Sequence, residues 1–127
     1  MINGIDYVYG YDFDGVISIG ISPMSKEDVI ITGRCIDEKN LILNELRKRK
    51  IFNKVYFNPM TLQERGNHTE EARTYSALHK AKKINELKET GLIVVRFFED
   101  DELQKEIIQK SHPDLEIVHV VSNLVQK

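Results

Sequence analysis

Five short apolar runs, rich in Val, Ile, Tyr and Phe and each closed by polar or turn-forming residues, punctuate this chain of 127 residues. The first lies in YVYGYDFDGVI, Tyr7 to Ile17, and reaches Asp12; the others are Val29 to Arg34, Lys54 to Phe57, Leu92 to Phe98 and Leu115 to Val121. Runs of this length and composition read as buried strands. Stretches with helical spacing lie between the later runs. One runs from Glu38 to Lys50, with Asp37 as its cap, Ile42, Leu43 and Leu46 on one face, and Arg47 to Lys50 at its C-terminal end. A second starts at Thr69 and continues to Glu89, with Ala77, Ala81, Ile84 and Leu87 inward and Gly91 as stop; a third opens at Asp101 and runs to Gln109, closed by Pro113. Strands that alternate with helices need crossover connections, so the fold class is α/β with a parallel sheet. Two stretches lack a clean period: Gly15 to Pro23 suits a short hairpin or flap, and Met60 to His68 a loop.

Composition narrows the classes further. At 41% apolar and 30% charged residues the chain has material for one packed domain over 1–127 and no more. A formal net charge of −2 argues against a general polyanion binder, although it leaves room for a local basic patch. The single cysteine, Cys35, cannot form an intramolecular disulfide and reads as a small buried thiol. The N-terminus lacks a basic segment followed by an apolar one, and no run approaches the ~20 apolar residues of a membrane span; a cytoplasmic protein with no membrane partner is expected.

The chemistry concentrates where the first strand ends. Asp12 and Asp14 stand on alternate residues before Gly15, at the edge where open α/β sheets place their ligand sites. Neighbouring carboxylates are unfavourable without a compensating cation, and hard oxygen ligands suit Mg²⁺. A strand end followed by an acidic turn is the structural alternative. Later transitions add to the pattern: Thr32, Gly33 and Arg34 close the second strand, His79-Lys80-Ala81-Lys82-Lys83 lies in the long helix, and Glu99-Asp100-Asp101 follows the fourth strand.

In that order these motifs resemble the haloacid dehalogenase-like phosphatase superfamily, over nearly the whole chain. The resemblance implies a three-layer Rossmann-like domain with strand order 5-4-1-2-3. The seventeen residues between Asp14 and Thr32 leave no room for a cap domain, and the helix of that crossover is reduced to Ser25–Asp28 or lost. The resemblance makes Asp12 the nucleophile of a phosphomonoesterase and Asp14 its general acid, with Thr32 and a lysine contacting the transferring phosphoryl group. That lysine is Lys80, Lys82 or Lys83, and Ala81 and Ile84 favour Lys80 as the inward one. Mg²⁺ would be held by Asp12, the backbone carbonyl of Asp14, and Asp100, with Asp101 as a further ligand or only a helix cap. Glu99 stands where many relatives have glycine. Gly33 and Arg34 are expected to bind substrate, with Arg65, His68, Arg73 and His79 as further candidates. An open site favours a bulky phosphorylated substrate such as a nucleic-acid end, with a nucleotide or other small phosphate as alternative, or a homo-oligomer that covers the site. A binding or regulatory module on the same fold is the competing expectation; a receiver domain fits less well, because the third strand ends in Asn58-Pro59 rather than an acceptor aspartate.

Overall fold

The computed structural model describes residues 4–67 and 69–121. Its strands are β1 (Asp6–Tyr11), β2 (Val29–Cys35), β3 (Val55–Asn58), β4 (Leu92–Glu99) and β5 (Glu116–His119); its helices are α1 (Lys39–Lys48), α2 (Leu62–Arg65), α3 (Glu70–Glu89) and α4 (Glu102–Ser111). All five strands are parallel, in the order β3-β2-β1-β4-β5. This is the expected α/β architecture, a small Rossmann-like domain. Side-chain alternation divides it into two cores. On one face Val8, Val29, Ile31, Val94 and Phe97 pack against Ala81, Ile84 and Leu87 of α3 and Ile108 of α4. On the other, Tyr11, Ile30 and Phe98 meet Ile42 and Leu46 of α1, with the Tyr11 and Phe98 rings stacked at 4.8 Å.

Three local expectations need correction. The segment from Gly15 to Pro23 is no hairpin: it folds into a 3₁₀ turn, Ile17–Ile19, ended by Gly20 in a left-handed conformation. No helix takes its place in the β1–β2 crossover, and Tyr7 at the base of β1 is consequently 69% exposed. Asp37 does not cap α1. It sits in a second 3₁₀ turn, Ile36–Glu38, and its carboxylate accepts from the Leu62 amide of α2. The loop predicted over 60–68 contains α2, capped by Thr61, which with Glu64 forms a box in which each side chain accepts from the other's backbone amide; His68 lies outside the described residues.

Because every strand runs the same way, Asp12, Gly33, Asn58 and Glu99 emerge on one edge of the sheet. The chain reverses direction across the sheet at β1, moving first to β2 and β3 and then back to β4. Open sheets form a crevice at such a switch point.

Candidate active site

A cleft of about 440 Å³ opens at that edge, and its floor is built from β1, α3 and β4. Asp12, the first residue after β1, is 4% exposed; its amide donates to the Phe98 carbonyl at 3.0 Å, and its Oδ1 accepts from the Phe13 amide at 2.8 Å. Lys80 reaches up from α3 fully buried. Its Nζ donates to Glu99 Oε1 and Gln104 Oε1, both at 2.7 Å, and lies 3.3 Å from Asp12 Oδ1. Of the three lysines left open by the sequence, Lys82 is exposed and Lys83 pairs with Glu86 over the Tyr56 ring. Only Lys80 enters the cleft.

Asp12, Glu99 and Asp100 bring one carboxylate oxygen each within 4.8 Å of one another. Gly15 makes this approach feasible. Its φ of 77° is a left-handed conformation, and a Cβ there would run into the Asp100 carboxylate. The Asp14 carboxylate, expected as the general acid while its backbone carbonyl serves the metal, and that of Asp101, expected as a further ligand or only a helix cap, are both paired with arginines. Asp14 is exposed and gives both oxygens to Arg34, at 2.8 and 3.0 Å; Asp101 gives both to Arg73, at 2.8 and 2.7 Å, and caps α4 by accepting from the Leu103 amide. The third acid of the cluster is Glu99, which sequence reading passed over. Strand alternation carries the signal for it: Glu99 lies two residues beyond Phe97, hence on the α3 face, where the inward lysine of that helix must end.

The second strand contributes less directly. Thr32 is wholly buried and outside the cleft lining, and its Oγ1 accepts from the Arg34 amide at 3.0 Å, fixing the turn by which Gly33 and Arg34 enter the cleft. Gly33 is glycine because Ser76 of α3 packs where its Cβ would stand. Arg34 also pairs with Glu38 at 2.7 Å. Arg65 and Arg73 line the same rim, whereas His79 turns into the protein, where its Nε2 has no hydrogen-bond partner. Glu38, Asn67, Ala72, Ser76 and Gln104 complete the lining, and none is among the residues expected there. Nothing in their spacing marks them.

Acids outnumber cations here. Against Arg34, Arg65, Arg73 and Lys80 stand Asp12, Asp14, Glu38, Asp100 and Asp101 in the lining, and Glu99 beneath them. The imbalance appears in the proton affinities. Burial, then Glu99, pushes Asp12 well above the usual carboxylate range, and the same causes raise Asp100 to about 6. Asp101, bonded to Arg73, is held down to about 2. For Lys80 burial works against the charge, yet Asp12 and Glu99 prevail and hold it above the usual lysine range. Three clustered carboxylates that share the one ammonium of Lys80 fit a divalent cation such as Mg²⁺.

Comparison of the chain with protein-family models, with characterised proteins and with solved structures gives no match.

Proposed function

We propose that this chain is a Mg²⁺-dependent phosphomonoester hydrolase of the haloacid dehalogenase-like type, working through an aspartyl-phosphate on Asp12. The observation that carries this reading is the placement of Asp12 on the floor of an open cleft, 3.3 Å from the ammonium of Lys80 and clustered with Glu99 and Asp100. A carboxylate held beside a fixed cation is a competent nucleophile, and phosphoryl transfer asks mainly for positioning and charge.

In the first step an Asp12 oxygen attacks phosphorus, the bond from phosphorus to the leaving oxygen breaks, and that oxygen takes a proton from Asp14. In the second, Asp14 takes a proton from water as the water attacks the aspartyl-phosphate; inorganic phosphate leaves and Asp12 is restored. Both oxygens of Asp14 lie on Arg34, so proton delivery requires that pair to open. Lys80 stays with Asp12 throughout, oriented by Glu99 and Gln104. Thr32 acts through the turn that presents Gly33 and Arg34 to the substrate. Asp12 and Asp100, with Glu99 beside them, would hold Mg²⁺, which when bound screens the negative charge of both the phosphate and the nucleophile. Among the described residues the cleft is open, which suits a bulky substrate such as a nucleic-acid end or a nucleotide.

Phosphate release from an aryl phosphate tests the proposal, measured with Mg²⁺, with EDTA, and with Asp12→Asn. Release that needs both metal and Asp12 is expected, from a variant whose circular dichroism matches the parent. Turnover retained by Asp12→Asn would exclude the covalent mechanism. Silence from a folded protein that binds Mg²⁺ would favour a binding module instead.

A further inference from the structure

The short helix α2 is fastened at its N-terminal end. Besides the reciprocal Thr61 and Glu64 bonds, Asp37 accepts from the Leu62 amide at 3.1 Å, and the Arg65 and Gly66 amides donate back to Thr61 and Leu62 at 3.0 and 2.8 Å. A helix of four residues is marginal alone and depends on such bonds. What they hold in place is the side chain at the last position, Arg65, which lines the cleft.

Arg65 differs from the other cations there. Arg34 is paired with Asp14 and Glu38, Arg73 with Asp101, and Lys80 with Asp12 and Glu99. Arg65 has no carboxylate within ion-pair distance among the described residues. Its Nε donates to the Gly66 carbonyl at 3.0 Å and its Nη1 to the Gly33 carbonyl at 2.6 Å. Both acceptors are neutral, and Nη2 has no hydrogen-bond partner among the described residues. A guanidinium has five N–H donors in a rigid fork, and one tethered on backbone carbonyls is pre-organised for a bidentate anion.

Its place in the fold says which anion. Gly33 stands at the end of β2 and Asp100 beyond the end of β4, on either side of β1 and Asp12. Asp12, at the end of β1, therefore has Asp100 on the β4 side and, through the Gly33 carbonyl, Arg65 on the β2 side. The geometry points to Arg65 as the residue that selects phosphomonoesters whose leaving group carries a second phosphate. This rests on the phosphatase reading above and adds the substrate class to it. A nucleic-acid end and a small bisphosphate share that chemistry.

The test compares adenosine 3′-monophosphate, adenosine 3′,5′-bisphosphate and a 3′-phosphorylated dinucleotide, by phosphate release with the parent protein and by calorimetric binding to Asp12→Asn. The bisphosphate should exceed the monophosphate in kcat/KM and in affinity by roughly tenfold or more, the fold-change matching one charge-assisted hydrogen bond. Arg65→Ala should bring that ratio close to one, whatever it does to absolute rates, and Arg65→Lys should restore part of it. A dinucleotide that outperforms the bisphosphate identifies the nucleic-acid end as the source; the reverse identifies the small molecule. No preference in the parent protein, or a ratio unchanged in Arg65→Ala, would overturn the inference. If nothing is hydrolysed yet binding keeps its dependence on Arg65, the phosphatase reading fails and the anion site stands.

Discussion

The floor and the rim of the cleft are both made of a cationic side chain facing carboxylates, but water reaches only the rim. On the floor the side chains of Lys80, Glu99 and Asp12 are 1%, 0% and 6% exposed; on the rim Arg34 and Asp14 are 31% and 52% exposed, and Arg73 and Asp101 41% and 16%. A buried charge has no solvent to fall back on, so each floor group depends on the others. A rim group can exchange its partner for water or for part of a ligand at little expense. The same pairing chemistry is therefore a fixed frame in one place and an adaptable surface in the other.

Breaking the frame should have the largest effect. Lys80→Met leaves Asp12 and Glu99 buried together without their shared cation, and the expected loss of stability is about 3–5 kcal/mol, measured as a shift of the urea midpoint. Lys83→Ala, three residues along the same helix but on its surface with Glu86, should stay within about 0.5 kcal/mol. A loss below about 1 kcal/mol for Lys80→Met would mean that water enters the floor and that the contrast with the rim does not hold.

A neighbouring group tests burial outside an ion pair. His79 precedes Lys80 on α3, and burial, reinforced by the nearby charges of Lys80 and Lys83, drives its imidazole down to about 4. The fold thus prefers the neutral ring, while the unfolded chain takes up its proton near pH 6.5. Stability from this residue is complete above that pH and is lost as pH falls from about 6.5 to about 4, by up to about 3 kcal/mol. His79→Gln removes the titration, so the variant should lose less stability than the parent between pH 7 and pH 4.5 in paired urea titrations. Equal losses would show that the ring is hydrated and can ionise where it stands.

What could be read from the sequence follows the same division. The sheet, its order and the inward choice of Lys80 rest on periodicity, because long apolar runs and the Ala81 and Ile84 spacing leave few arrangements for a buried face. Asp12 was legible for the same reason, as the residue beyond a buried strand. Glu99 is less legible, because as a motif it is only a departure from glycine and its role follows from the alternation of β4. The rim depends on short-range detail. The helix α2 has no period to detect; its signal is Thr61 with Glu64 three residues later, a capping pair that spacing alone would have disclosed. Asp37 was assigned to the helix that follows it, whereas its amide partner is Leu62, twenty-five residues away in sequence, a contact no local pattern contains.

The smallest effect is expected where the rim is simplest. Arg73→Ala removes two hydrogen bonds to Asp101, but Asp101 still accepts from the Leu103 amide and from Gln104 Nε2, each at 3.0 Å, so the acid keeps its place as the cap of α4. With the arginine 41% exposed, the lost pair contributes at most about 1 kcal/mol, and the difference between variant and parent should shrink further in 1 M salt, where screening acts over roughly 3 Å. Paired urea titrations at low and high salt measure both quantities. A loss above about 2 kcal/mol that salt leaves unchanged would place Arg73 and Asp101 in the same class as the buried floor.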